Sequence, residues 1–153
     1  MTSPDPAADP QIVPISDDLD RHAHQLSAAA ALHRTFRPGL PQDYEGYMRR
    51  MFAEGAEMAV LFADGAVRSL AVYRSHHTTF HGLRFNVDDL VTEEADRGRG
   101  FGARMLAWCE NRARERGCDA LDLESAVHRA GAHRFYFRAG LTIFTFGFTK
   151  PLR

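Results

Sequence analysis

Apolar residues recur along this chain with two periods, every second residue in some stretches and every third or fourth in others. These are the spacings of strands and helices. Ile12-Val13-Pro14-Ile15 reads as a short first strand, and its proline suits an edge position. Ser16 or Asp17 is placed to cap a helix running to about Phe36. Pro38-Gly39 and Pro41 then break the pattern. From about Asp43 to Glu54, Tyr44, Tyr47, Met48 and Met51 line one helical face. Met58 to Phe62 and Val67 to Arg74 are strands joined by the hairpin signal Asp64-Gly65. His81-Gly82 turns the chain into a further strand, Leu83 to Val91.

A helix from about Phe101 to Arg116 puts Met105, Leu106, Cys109 and Ala113 on one face and the Glu110–Arg114 pair on the other. Gly117 ends it. Ala120 to Glu124 is a short strand, Ala130 to Arg138 a helix stopped by Gly140, and Leu141 to Phe148 a closing strand. The order is β-α-α-β-β-β-α-β-α-β, which predicts an α/β fold with a mixed sheet and helices on both faces.

With 153 residues, 44% of them hydrophobic, the chain is sized for one domain, expected over residues 11–153. Residues 1–10, rich in Pro, Ala and Asp, are expected to be a disordered tail without a secretory signal. A formal net charge of −1 offers no field for nucleic acid or an anionic membrane. The arginines between Arg97 and Arg116 interleave with acidic residues, as on a solvated helix face. No apolar run is long enough to span a bilayer. Cys109 and Cys118 are too few for a disulfide framework, so a reducing, cytoplasmic location is expected.

The densest chemistry lies between Val87 and Ala103. A strand leads through the polar stretch Glu93 to Arg97 into Gly98, Gly100 and Gly102, which open a helix. Glycine lets backbone approach a bulky anion, and the first turn of a helix offers amides without intrahelical partners at its positive end. Gly98 to Ala103 is therefore expected to cradle a pyrophosphate.

The stretch from Val87 to Leu141 resembles the GNAT superfamily of acetyl-CoA-dependent N-acetyltransferases. Arg97-x-x-Gly100-x-Gly102 matches that family's Gln/Arg-x-x-Gly-x-Gly/Ala signature, with Leu90-Val91-Thr92 at the usual distance before it. Ala132-His133-Arg134-Phe135-Tyr136-Phe137-Arg138-Ala139-Gly140-Leu141 matches its downstream Ala-x-x-Leu/Phe-Tyr-x-x-x-Gly-Phe/Leu segment. The resemblance implies a mostly antiparallel central sheet flanked by helices, acetyl-CoA as cosubstrate and an amine-bearing acceptor. It leaves a homodimer open.

The resemblance also implies the following site. The backbone of Leu90, Val91 and Thr92, freed by a bulge, holds the pantetheine arm. Amides from Gly98, Arg99, Gly100, Phe101, Gly102 and Ala103 hold the pyrophosphate, and Arg97 and Arg99 add charge-assisted bonds. Arg129 stands where many members have asparagine, and is read as a phosphate partner. Tyr136 occupies the position of the general acid for the CoA thiolate.

Two carboxylates are candidate bases, Glu124 at a strand end and Asp89 in the middle of a strand. Asp88 and Asp89 are adjacent, so strand alternation should let only one of them face the substrate. The loop near Arg37 to Gln42, with Phe36, Tyr44 and Tyr47, is placed to shape an acceptor cleft or to pack in the core.

Other chemistry fits less well. Gly98-x-Gly100-x-x-Ala103 with Asp122 imitates a Rossmann fingerprint for NAD(P), but a polar stretch separates the strand from the glycines and only about fifty residues follow. His76, His77 and His81 lack the carboxylate or cysteine partners of a metal site, and none is expected. His133 flanks the tyrosine motif. A non-catalytic acyl-CoA-binding module is the rival from another class, and a competent Tyr136 argues against it.

Overall fold

In the computed structural model, which describes residues 9–153, four strands pair antiparallel in chain order. They are β1 (Gln11–Pro14), β2 (Glu57–Ala63), β3 (Ala66–Thr78) and β4 (Gly82–Thr92), and β5 (Ala120–Leu123) takes the next place beside β4. Most of the tail expected over residues 1–10 lies outside the described residues. The chain divides into two compact units, residues up to Asp122 and Leu123–Arg153.

The Asp64-Gly65 hairpin forms as expected, with φ of 53° and 71°, the backbone that suits strand twist in a two-residue loop. The β3–β4 hairpin is longer than the hydrophobic pattern suggests. Its ladder continues through His76↔Arg84 and His77↔Leu83, where polar side chains hide the strand period.

The helices are α1 (Ala23–Phe36), α2 (Tyr44–Ala53), α3 (Phe101–Glu115) and α4 (Ala130–Arg138). α1 starts later than its capping signal suggests, because the candidate caps are spent on tertiary contacts. Ser16 Oγ accepts from the Met58 amide at 3.0 Å, and Asp17 accepts from Arg112 at 2.8 Å. Ile15–Asp17 forms a 3-10 turn instead. Asp43 caps α2 through the Gly46 amide at 2.9 Å.

Adjacent strand residues point to opposite faces, and β3 shows both. Leu70 and Val72 join Leu26, Ala29 and Leu32 of α1 and Tyr44 and Met48 of α2 in one core cluster. On the other face Tyr73 stacks on Phe85 at 4.8 Å and meets Trp108 of α3 edge-on at 5.7 Å. Gly117, at φ 68°, ends α3, and the Cys118 amide reaches back to the Ala113 carbonyl at 2.9 Å.

The closing strand expected over Leu141 to Phe148 is not formed: no residue after Arg138 lies in a strand or helix. Alternation supplies a strand's face, but a strand also needs the backbone ladder of a neighbouring strand.

Candidate active site

The loop between β4 and α3 is built by one buried acid. Asp96 is 4% exposed within the 3-10 turn Glu94–Asp96. Its two oxygens accept from Arg99 Nη1 at 2.6 Å and Arg68 Nη1 at 3.1 Å, and its carbonyl accepts from the Arg99 amide. Arg99 thus folds back on the loop, its guanidinium 4.9 Å over the Phe101 ring. Arg97 points outward, 65% exposed. Within the polar stretch Glu93 to Arg97 the sequence gives Asp96 no assigned role; its signal is an acid directly before Arg97 and Arg99.

Gly98 and Gly100 take φ of 87° and 84°, and a Cβ at either would meet nothing within 4 Å. Their open faces adjoin the first turn of α3, where the amides of Phe101, Gly102 and Ala103 have no intrahelical acceptor. Arg104 is the first to find one, the Gly100 carbonyl at 3.0 Å. This donor set fits a diphosphate.

β4 leads straight into that loop. β5 begins beside Leu83, whose carbonyl accepts from the Asp119 amide at 2.7 Å, and Asp122 meets Arg84 and Asn86, each at 2.8 Å. With four residues against eleven, β5 accompanies only the first half of β4. Leu90, Val91 and Thr92 pair regularly with Ala71, Leu70 and Ser69 on one side, and no strand among the described residues lies on the other. The bulge expected at Leu90–Thr92 sits earlier. Asp89 opposes Val72 and Val87 opposes Tyr73, so Asp88 is the extra residue.

That bulge also overturns the expectation that Asp88 and Asp89 point to opposite faces. Both engage partners on the α1 side of the sheet. Asp88 accepts from Arg74 Nε at 2.7 Å, and Arg74 shares a face with Val72. Asp89 Oδ2 accepts from His33 Nε2 at 2.8 Å, and Oδ1 accepts from Arg37 Nε and Nη2 at 2.8 and 2.6 Å. His33 is 2% exposed, and its Nδ1 lies 2.9 Å from the Tyr44 hydroxyl. A carboxylate oxygen only accepts, so the proton of this bond sits on His33 Nε2.

Burial pushes the Asp89 carboxyl up, but the hydrogen bonds from His33 and Arg37, with their charges, outweigh it and hold it below its ordinary value. Its oxygens are committed to donors, and its low proton affinity disfavours the base role. His33 and Arg37 escaped the sequence reading because they lie 56 and 52 residues from Asp89. Nearby, Arg34 Nη2 donates to the Pro41 and Gln42 carbonyls at 2.9 and 3.1 Å, fixing the loop expected to shape a cleft. Tyr44 is buried, while Phe36 and Tyr47 pack partly buried against the core.

The remaining expected residues lie in the second unit. Glu124 is exposed just beyond β5. Arg129 occupies the N-cap of α4, and Tyr136 lies on that helix. Burial raises the Tyr136 phenol above its ordinary pKa, and the Arg129 charge opposes this in part. His133 Nε2 bonds the Ala126 carbonyl at 3.0 Å, fixing the loop before the helix. In the first unit, His81 Nε2 lies 4.0 Å from Asp122, and no group of three metal-ligating side chains occurs among the described residues. No helix among them is long and apolar enough to cross a membrane.

Comparison with known proteins agrees with this geometry. A sequence model described as the Acetyltransferase (GNAT) family matches residues 27–141. An aminoalkylphosphonate N-acetyltransferase of Salmonella typhimurium is 36% identical over 80 residues, 52% of this chain. The match spans 50% of that relative's length. An uncharacterised N-acetyltransferase of Bacillus subtilis is 31% identical over 115 residues, 72% of this chain and 81% of the relative. In fold, the chain resembles aminoglycoside acetyltransferase AAC(6')-Iy in complex with a CoA-containing bisubstrate analogue. The TM-score is 0.80 at 15% identity, covering 95% of this chain and 99% of that one. The glycine cradle, its place at the start of α3 and the match over most of the chain lead to one conclusion: this protein belongs to the GNAT acetyltransferase family, whose cosubstrate is acetyl-CoA.

Proposed function

We propose that this chain transfers the acetyl group of acetyl-CoA to a primary amine by direct attack of the amine on the thioester. The observation that carries this reading is the open-faced pair Gly98 and Gly100 beside the free amides of α3, directly after the unaccompanied second half of β4. When bound, acetyl-CoA supplies an activated acyl carbon and a thiolate leaving group.

The chain's own groups do the rest. The amides of Gly98 to Ala103 hold the diphosphate, and Arg97 and Arg129 serve as its charged partners. The free edge of Leu90 to Thr92 offers backbone hydrogen bonds to the amide-bearing arm of the cosubstrate. As the amine nitrogen bonds the carbonyl carbon, the carbon–sulfur bond breaks and sulfur takes the electron pair. Tyr136 Oη, kept protonated by its raised pKa, gives its proton to that sulfur. Glu124, exposed beyond β5, takes the proton the amine loses, directly or through water. Asp89 anchors Arg37 rather than accepting a proton.

Two of the three similar enzymes named above carry amine acceptors in their names, one an aminoalkylphosphonate and one an aminoglycoside. Arg37, half exposed yet held by Asp89 and packed 4.4 Å over Phe36, favours an acceptor with an anionic group beside its amine. A homodimer and a cytoplasmic location belong to this reading; the free thiols Cys109 and Cys118 suit a reducing compartment.

The test is acetyl-CoA turnover against aminoalkylphosphonates, aminoglycosides and peptide amines. Turnover on an amine, lowered roughly 10²- to 10³-fold in Tyr136→Phe, is expected. CoA binding without turnover on any amine would instead make this a non-catalytic CoA-binding module. Thermal stabilisation by CoA and not by NAD is expected, about 2.7 kcal/mol at a hundredfold excess over Kd.

A further inference from the structure

The sheet face that carries α1 changes character along β3 and β4. Leu70 and Val72 belong to the core. Beyond Val72 the face is polar, with Arg74 opposite Asn86 and His76 opposite Arg84. Directly opposed residues share a face. The arginines there are matched by carboxylates. Asp122 accepts from Arg84 and Asn86, each at 2.8 Å, and Asp88 accepts from Arg74 at 2.7 Å. Asp89 accepts from Arg37, at the end of α1, at 2.6 Å.

Two charged groups keep open capacity after this pairing. Arg74 engages only Oδ2 of Asp88; nothing among the described residues donates to Oδ1, and the side chain is 26% exposed. Arg37 spends Nε and Nη2 on Asp89, finds no acceptor for Nη1 among the described residues, and is 51% exposed. Each is already held by an opposite charge, so little ordering remains to be done when a ligand binds.

Their place gives this capacity a use. With the arm of acetyl-CoA running from the Gly98–Ala103 turn along Thr92, Val91 and Leu90, its sulfur end arrives beside Asp89 and Asp88, where β4 outruns β5. This step rests on the acetyl-transfer reading. The bulge turns both aspartates to the α1 face, which sets an open carboxylate oxygen beside an open guanidinium edge. Successive Cα atoms lie about 3.8 Å apart, so one small molecule can span the two charges.

We propose that Asp88 receives the amino group of the acceptor and Arg37 its anionic group, so that the enzyme selects short aliphatic amines with an anion at the far end. Asp88 Oδ1 accepts a hydrogen bond from the amine and aims its nitrogen at the thioester, while Arg37 Nη1 donates to the anion. Neither residue gains or loses a proton in the transfer. An amine without a nearby anion engages only Asp88.

Steady-state kinetics with 2-aminoethylphosphonate and with ethylamine separates the two roles. Asp88→Asn should raise the KM of both amines roughly tenfold or more, and Arg37→Gln that of 2-aminoethylphosphonate alone. The KM for acetyl-CoA should stay within about twofold in each variant. Equal KM values for the two amines in wild type, or unchanged amine KM values in Asp88→Asn, would overturn the proposal. If wild type acetylates no amine, the transfer reading fails, and calorimetry on the complex with CoA decides the site by itself. There 2-aminoethylphosphonate should bind wild type and not Asp88→Asn; no binding to wild type, or equal binding to both, sinks the assignment. Should Asp88→Asn fail to fold, the side-chain carboxyl carbon resonance of Asp88 in wild type should move as 2-aminoethylphosphonate is added, and a resonance that stays still overturns the proposal.

Discussion

His33 and Asp89 join α1 to β4 through a 2.8 Å bond at a bulge, with Tyr44 behind the histidine and Arg37 in front of the carboxylate. The pair is a bolt between α1 and the strand that leads into the Gly98–Ala103 turn. His33→Ala would leave the Asp89 oxygen and the Tyr44 hydroxyl without their partner. The expected cost is about 2–4 kcal/mol, read by urea denaturation. Loss of less than about 0.5 kcal/mol would show that the bolt contributes little.

The same bolt predicts a pH dependence. A carboxyl whose folded pKa is depressed stabilises fully above its unfolded value, about 3.9, and loses that contribution as pH falls through the folded value. Asp89 is such a group. Wild type should therefore keep a constant advantage over Asp89→Asn from about pH 7 to about pH 5, and lose it progressively below about pH 4. Denaturation curves across that range check this; a gap that widens in acid contradicts it.

Gly100, at φ 84°, has space for a methyl group but not the backbone freedom. Gly100→Ala should destabilise by about 1–2 kcal/mol and raise the KM for acetyl-CoA roughly tenfold, since 1.4 kcal/mol is a factor of ten. Gly39, with open space and no positive φ, is the control. Gly39→Ala should leave both quantities within about 0.5 kcal/mol of wild type.

Tyr136→Phe removes one hydroxyl and little packing. kcat should fall roughly 10²- to 10³-fold, while the KM for acetyl-CoA and the melting temperature hold. Because burial raises the phenol pKa, any alkaline limb of kcat should lie above the ordinary tyrosine value of about 10 and vanish in the variant. An unchanged kcat would leave Tyr136 a packing residue.

The thiols should separate in a labelling experiment. Cys109 is fully buried and its thiol is pushed up to about 12 by burial, with the Glu110 charge adding to the shift. Cys118 is only half buried. At mildly alkaline pH one thiol per native chain should react promptly and the second only on unfolding. Two equally fast thiols would contradict the placement of α3.

The sequence by itself determined what depends on near neighbours. The Asp64-Gly65 turn, the buried faces of α2 and α3, the Gly117 stop and the Gly98–Ala103 cradle are set by residues within a few positions of one another. Period, capping and glycine freedom act over that range, so the pattern revealed them, and the motifs placed Tyr136 on its helix. Tertiary structure alone decided what depends on residues far apart. Ser16 was drawn from its capping role by the Met58 amide, 42 residues away. Asp88 and Asp89 came to one face through a bulge in the β3–β4 pairing. Asp89 became an anchor because folding delivered His33 and Arg37 to it. Residues 141–148 kept the strand's alternation without its ladder, since alternation is written in one segment and pairing requires two.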